Sequence, residues 1–255
     1  MKERSLPIGI YFKWLVEIFP VLAKLEKKTF ETSSYGVQLR SRPQDLTFRF
    51  ALNGNYGNFI SEIVEGLKEP VVFLDIGANL GLYSLLAGKN PFVQAVHSFE
   101  PDPISFMYLT DNVSRNNCDK IKKHNLAIGP ENEKCYLTRT VGHSGGASLI
   151  SNRARLKTHR VKVEIVNHET LNSLITQNDL AIFAKIDVEG FELKVLETLA
   201  KTRFFNQIKF FVVEFDDSRG TTSRILDFFR VNGFIETGRS SNSNHFDGFF
   251  IKESR

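Results

Sequence analysis

The stretch VVFLDIGANLGLYSLLAGK, from Val71 to Lys89, constrains the fold more than any other part of the 255-residue chain. An apolar run closes on an acid, two glycines four positions apart follow, and a helical pattern begins without a linker. A strand that turns at once into a helix is the first half of a βαβ unit. The alternation recurs downstream. AVHSFE (95–100) precedes a helix opened by Pro101 and Pro103, LAIFAKIDVEG (180–190) precedes FELKVLETLA, and IKFFVVEF (208–215) precedes SRILDFFRVNG. IKKHNLAIG (121–129) reads as one further strand. KCYLTR and VKVEIV read as strands of an irregular insert, joined by a loop VGHSGGAS. The connection between FIET and FDGFFIK is too short for a helix, so these two run antiparallel if they are neighbours. The expectation is an α/β protein with a mostly parallel sheet and an antiparallel last strand. Residues 1–65 form a helical or irregular appendage, and 66–255 the main domain.

In an open parallel sheet a ligand sits at the carboxyl ends of the strands, where the loop DIGANLG lies. A dinucleotide fingerprint needs a glycine at the position occupied by Asn79, between Gly77 and Gly81. Asp75, two residues before the first glycine, is expected at the mouth, where it repels a diphosphate and attracts a cation. No Gly-Lys-Ser/Thr follows, which excludes a phosphate P-loop. The ligand should therefore carry an amino group and no phosphate, and S-adenosylmethionine meets both conditions. Glu100 stands 19 residues after Gly81, a spacing at which an acid accepts from the ribose hydroxyls of an adenosine. That acid serves NAD and S-adenosylmethionine alike. Taken singly, Asp75 is also readable as a helix cap and Glu100 as a solvated strand end.

Four blocks together resemble the FkbM-type S-adenosylmethionine-dependent methyltransferases: FLDIGANLGLYS, HSFEPDPISFMYLTDNVSRNN, the pair NLAIG and ETLNSLI, and KIDVEGFELKVLETL. The resemblance implies a Rossmann-like class I methyltransferase fold with a seven-stranded sheet. It also implies O-methylation of hydroxyls on sugars, glycolipids or other small metabolites. The cofactor contacts it implies are Asp75, Gly77, Asn79 and Gly81 in the loop, Glu100 on the ribose, and Asn112 and Ala127 near the adenine. Asn172 and Phe191 depart from the family's usual residues.

An alcohol attacking a methyl group must lose its proton to a nearby carboxylate or histidine. Asp187 and Glu189, in KIDVEG, share one strand face and point into one cleft if the strand continues that far. His245, before the last strand, is the third candidate for catalysis. Glu214 lies near the same mouth, Glu192 is readable as a cap of its helix, and Lys185 as a salt-bridge partner within the sheet. His143 sits in a loop that could act as a lid. Asp187 and Glu189 are hard oxygen ligands of the kind magnesium takes, but no further cluster stands at a clear spacing, and no metal is expected.

The net charge of +4, with no run of five like charges, permits an anionic partner without demanding one. Two cysteines without a C-x-x-C pair point to neither a disulfide scaffold nor a zinc site, and a cytoplasmic setting is expected. Residues 6–25 read as an amphipathic helix, packed on its own domain or lying on a membrane surface. The competing functions are an NAD-dependent oxidoreductase, a nucleic-acid methyltransferase and a cofactor-binding protein without catalysis. Asp75 and the missing middle glycine oppose the first; the acids of DVEG, which repel phosphates, oppose the second. The acceptor expected is a small molecule or glycan, with no nucleic acid.

Overall fold

The structure, a computed structural model, describes residues 28–149, 158–176 and 179–253. The helix expected over 6–25 lies outside them, as do residues 150–157 of the insert.

Seven strands form the main sheet: β3 (Val71–Ile76), β4 (Val93–Phe99), β5 (Ile121–His124), β10 (Ala181–Ile186), β11 (Ile208–Asp216), β12 (Phe234–Arg239) and β13 (His245–Lys252). Their order is β12-β13-β11-β10-β3-β4-β5. The sheet is mixed. β13 is antiparallel to both of its neighbours, β11 and β12, and the remaining pairs are parallel. Strand order reverses at β3, which lies between β4 and β10.

Each residue of β3 is buried, as expected of a strand covered on both faces. Its side chains divide by parity. Val72, Leu74 and Ile76 face a core shared with α6 (Glu192–Leu199) and α7 (Thr222–Val231), through Leu193, Leu196, Ile225 and Phe229. Val71 and Phe73 face a core shared with α2 (Phe59–Glu65), α3 (Leu82–Lys89) and α4 (Pro103–Arg115). The abundant phenylalanines concentrate in these cores. Phe229 stacks on Phe250 with ring centroids 3.8 Å apart, and Phe215 stacks on Phe246 at 4.8 Å.

Residues expected as part of an N-terminal appendage contribute to the second core. Val37 and Leu39 at β2 (Gln38–Arg40), Phe48 and Ala51 of α1 (Leu46–Asn53), and Ile60 and Val64 of α2 pack against Phe73 and Leu85. β2 pairs with β1 (Phe30–Thr32). Asp45 starts α1 by accepting from Phe48 N, and Gly54 ends it in the left-handed conformation at φ 77°.

The insert between β5 and β10 is a second sheet of β6 (Ala127–Ile128), β7 (Glu133–Thr140), β8 (His143–Ser148) and β9 (Thr158–Val166), followed by α5 (His168–Leu174). Two expectations change here. The run 121–129 is not one strand: β5 joins the main sheet and β6 pairs with β9. Asn125, at the break, donates its amide to the carbonyls of Glu100 and Pro101, which bends the chain from one sheet to the other. VGHSGGAS is not a loop: it turns at Gly142 (φ 75°), and β8 pairs back on β7. Among the described residues no helix is long and apolar enough to cross a membrane.

Candidate functional site

A cavity of about 570 Å³ opens at the carboxyl ends of β3, β4, β10 and β11, at the reversal of strand order. Its sides come from α1 and the segment that follows it, from the glycine loop, and from β7 and β8 of the insert.

The glycine loop is shaped by close approaches. Gly77 adopts φ 82°, and a Cβ there would stand 1.8 Å from the carbonyl oxygen of Asp187. The start of the helix after β3 and the loop after β10 thus touch backbone to backbone. Gly81, at φ 85°, would drive a Cβ into Leu109 of α4 at 2.3 Å, so it packs a helix and does not line the cavity. Asn79 takes φ 48°, and its N–H donates to Glu100 Oε2 at 2.7 Å. The N–H of Asp102 donates to Glu100 Oε1 at 2.8 Å. Glu100 is buried, and burial, reinforced by the charge of Asp102, pushes its carboxyl up to about 8. Each of its oxygens accepts one backbone N–H, and the residue lines the cavity with acceptor capacity to spare. Phe99, Leu126, Ala127, Ile128 and Leu137 supply an apolar wall beside it.

Besides Gly81, two more expected cofactor contacts are corrected. Asp75 is not at the mouth. It is fully buried, accepts from Ser84 Oγ at 2.5 Å and lies 3.5 Å from Lys185 Nζ. The cause is register: Lys185 on β10 stands directly beside Asp75 on β3, and a carboxylate this deep needs a countercharge. Asn112 is also off the cavity. It accepts from the N–H of Arg40 and donates to the carbonyl of Leu80, so it ties β2 to the glycine loop.

At the other end of the cavity, acids converge from three adjacent strands. Asp187 follows β10, and burial pushes its carboxyl up while Lys185, 3.3 Å away, opposes this. Lys185 also donates to the carbonyl of Gly77 at 3.0 Å, and despite its burial the charges of Asp187 and Asp75 raise its pKa. Glu189, at φ 54°, accepts from Arg219 at 2.5 Å. Burial and the neighbouring acids Glu214 and Asp187 push it up to about 8. Glu214, on β11, accepts from Arg219 at 3.2 Å and lies 2.8 Å from His245 Nε2. Burial opposes its ionisation, but the hydrogen bond from His245 and the charge of Arg219 outweigh it and lower its pKa. His245 is raised to about 9, first by that hydrogen bond. Glu192 does not cap its helix: it accepts from the N–H groups of Val188 and Gly190 in the preceding loop, which it holds in place.

Asp187, Glu189 and Glu214 each bring one oxygen within 4.8 Å of the others. Lys185, Arg219 and His245 already balance them, so the group is an ion-pair network. His143 lines the insert side of the cavity, as part of β8.

Sequence reasoning missed Arg219 and Asp247. Arg219 sits in a one-turn helix after β11 and reaches Glu189, Glu192, Glu214 and Asp216. Only tertiary packing joins those acids. Asp247 was legible as the residue two after His245, on the same face of a strand, once β13 is known to lie beside β11. Tyr56 and Tyr83 line the same end, ring centroids 6.4 Å apart, and burial raises the phenol of Tyr83.

The description "Methyltransferase FkbM domain" matches residues 75–236. The chain belongs to this family of methyltransferases, and S-adenosylmethionine is its methyl donor. It is 23% identical over 177 residues to "Methyltransferase 1" of Beauveria bassiana (strain ARSEF 2860), covering 63% of this chain and 71% of that protein. Among solved structures it is similar to the ribosomal protein L11 methylase of Lactobacillus delbrueckii subsp. bulgaricus, with a TM-score of 0.48, 11% identity, and 79% and 81% of the two chains covered. The M. jannaschii TYW2 structure in complex with AdoMet gives a TM-score of 0.45 at 12% identity, covering 89% and 88%.

Proposed function

We propose that this chain methylates a hydroxyl group of a sugar, glycolipid or other small metabolite. The observation that carries the reading is one cavity that runs from Glu100 and an apolar wall to a cluster of acids. Glu100, with free lone pairs beside an apolar wall, suits a ribose and an adenine. Gly77 and Asn79 supply close-packed backbone next to it. Asp187, whose own backbone packs on Gly77, takes the part of countercharge to the cofactor's ammonium that the sequence assigned to Asp75. S-adenosylmethionine, when bound, supplies a methyl group on a sulfonium.

The chain's own work is then to hold the acceptor and manage one proton. Glu189 would accept a hydrogen bond from an acceptor hydroxyl and fix its direction, which is a large part of the rate in a direct displacement. Tyr56 and Tyr83 offer ring faces and hydroxyls to a polyhydroxylated ring. His245 suits this task less as a base than as a charged partner, because Glu214 holds its proton well above neutral pH. The density of carboxylates favours a neutral or cationic acceptor over a phosphate-bearing one.

The test uses the purified full chain with methyl-labelled S-adenosylmethionine. Methyl glycosides, a neutral glycolipid and phenols form one panel, primary amines a second, and transfer RNA and DNA a third. Label is expected in a base-stable ether on a member of the first panel. Label confined to amines or nucleic acid would refute the assignment.

A further inference from the structure

We infer that Asp247 is the general base that takes the proton of the acceptor hydroxyl. This rests on the O-methyltransferase reading above and names the residue that completes it.

The argument is one of partners. Every other carboxylate at the acid end is committed: Asp187 to Lys185, Glu189 to Arg219, and Glu214 to Arg219 and His245. Glu192 serves backbone N–H groups. Among the described residues, no hydrogen bond or ion pair holds the carboxylate of Asp247; its backbone alone is fixed, by Ser240. Yet Asp247 lines the cavity and is half-buried. Its position is rigid, since it lies within β13, directly opposite Glu214 of β11. Opposed residues of an antiparallel pair share a face, and two acids so placed repel one another. A strand that keeps an unpartnered acid there leaves it available to something that enters the cavity.

The surroundings set its proton affinity. Glu214 faces it from β11, Asp187 and Lys185 from β10 and its loop, Tyr83 from α3, and His245 from its own strand. Burial, with Asp187 and Glu214, pushes the carboxyl up to about 7, against Lys185 and His245. A base that titrates near working pH combines availability with driving force. In the reaction, the acceptor's O–H bond breaks and its proton passes to an Asp247 carboxylate oxygen. An oxygen lone pair of the acceptor forms the new bond to the methyl carbon, and the pair of the broken carbon–sulfur bond stays on sulfur. The products are a methyl ether, a neutral thioether and a protonated Asp247, which returns its proton to solvent.

The experiment compares the wild type with Asp247→Asn and Asp247→Glu, using the hydroxyl panel above. Asparagine keeps the size and hydrogen-bonding reach of the side chain and removes its basicity. Its kcat should fall by about a hundredfold or more, with KM and the Kd of S-adenosylhomocysteine within about twofold of the wild type. The wild-type rate should rise with pH through an inflection near 7 that the asparagine variant lacks, and glutamate should recover part of the rate. Carbon-13 NMR of aspartate-labelled protein should show one carboxyl titrating near neutral pH, absent from Asp247→Asn. An active wild type whose Asp247→Asn variant keeps its kcat and pH profile would overturn the assignment of Asp247 alone. A wild type inert to every hydroxyl would overturn the O-methyl reading beneath it.

Discussion

Lys185 is a residue whose loss the structure makes costly to the fold. It is 2% exposed, and its ammonium faces Asp75, Asp187 and the carbonyl of Gly77. Lys185→Met keeps the length and apolar stem of the side chain and deletes the charge. Asp187 is partly exposed at its side chain and can relax toward the cavity. Asp75 cannot: it is enclosed on all sides, with Ser84 its remaining donor. It must then stay charged without a partner, at about 3–5 kcal/mol for a broken buried pair, or take a proton. Protonating an aspartate of ordinary pKa at pH 7 costs about 4 kcal/mol, which caps the loss. In a domain of this size each kcal/mol moves Tm by about 2–4 °C, so the variant should melt roughly 6–16 °C below the wild type. Adding Asp75→Asn removes the stranded charge and should recover most of the loss. Thermal unfolding followed by circular dichroism decides it. A gap of less than 2 °C, or one that Asp75→Asn leaves unchanged, would show that the countercharge argument is wrong.

Two further outcomes are expected. Glu100→Gln should weaken S-adenosylhomocysteine binding by about tenfold or more, the scale of a hydrogen bond to a charged group. Because the carboxyl is raised to about 8 and ribose hydroxyls favour its ionised form, wild-type affinity measured by calorimetry should improve between pH 7 and 8.5, and the variant's should not. His245, raised to about 9, contributes stability that is complete below its unfolded pKa and lost as pH climbs through 9. The ring is 62% exposed, so the effect is small; urea titrations should find the difference between wild type and His245→Gln smaller at pH 9.5 than at pH 6.

The parts of this protein legible in its sequence are those governed by short-range rules. An apolar strand, a glycine turn and a helix in direct succession leave few folds open, and the strand–helix alternation located the main elements. What stayed hidden depended on neighbours distant in sequence. Asp75 looked like a mouth residue because nothing near it in sequence reveals Lys185, 110 positions later, as its lateral neighbour. The run 121–129 looked continuous because both halves are apolar, and only the pull of two different sheets separates them at Asn125. LTFRFALN of α1 places Leu46, Phe48, Phe50 and Leu52 at alternate positions, a strand-like period that masks the helix bounded by Asp45 and Gly54. Asp247 is plain in the sequence as a residue and invisible as an acid of the site, because its place follows from β13 lying beside β11.

Ser144 of β8 donates its backbone N–H to Asp45 Oδ2, and its hydroxyl lies 3.0 Å from both Asp45 Oδ1 and Asn79 Oδ1. One serine therefore knots the roof of the pocket, the start of α1 and the glycine loop. On the proposed division of the cavity, engineers who graft another hairpin over its acid end would be retuning the glycine loop in the same stroke, and the two specificities should drift together unless that serine and its aspartate travel with the graft.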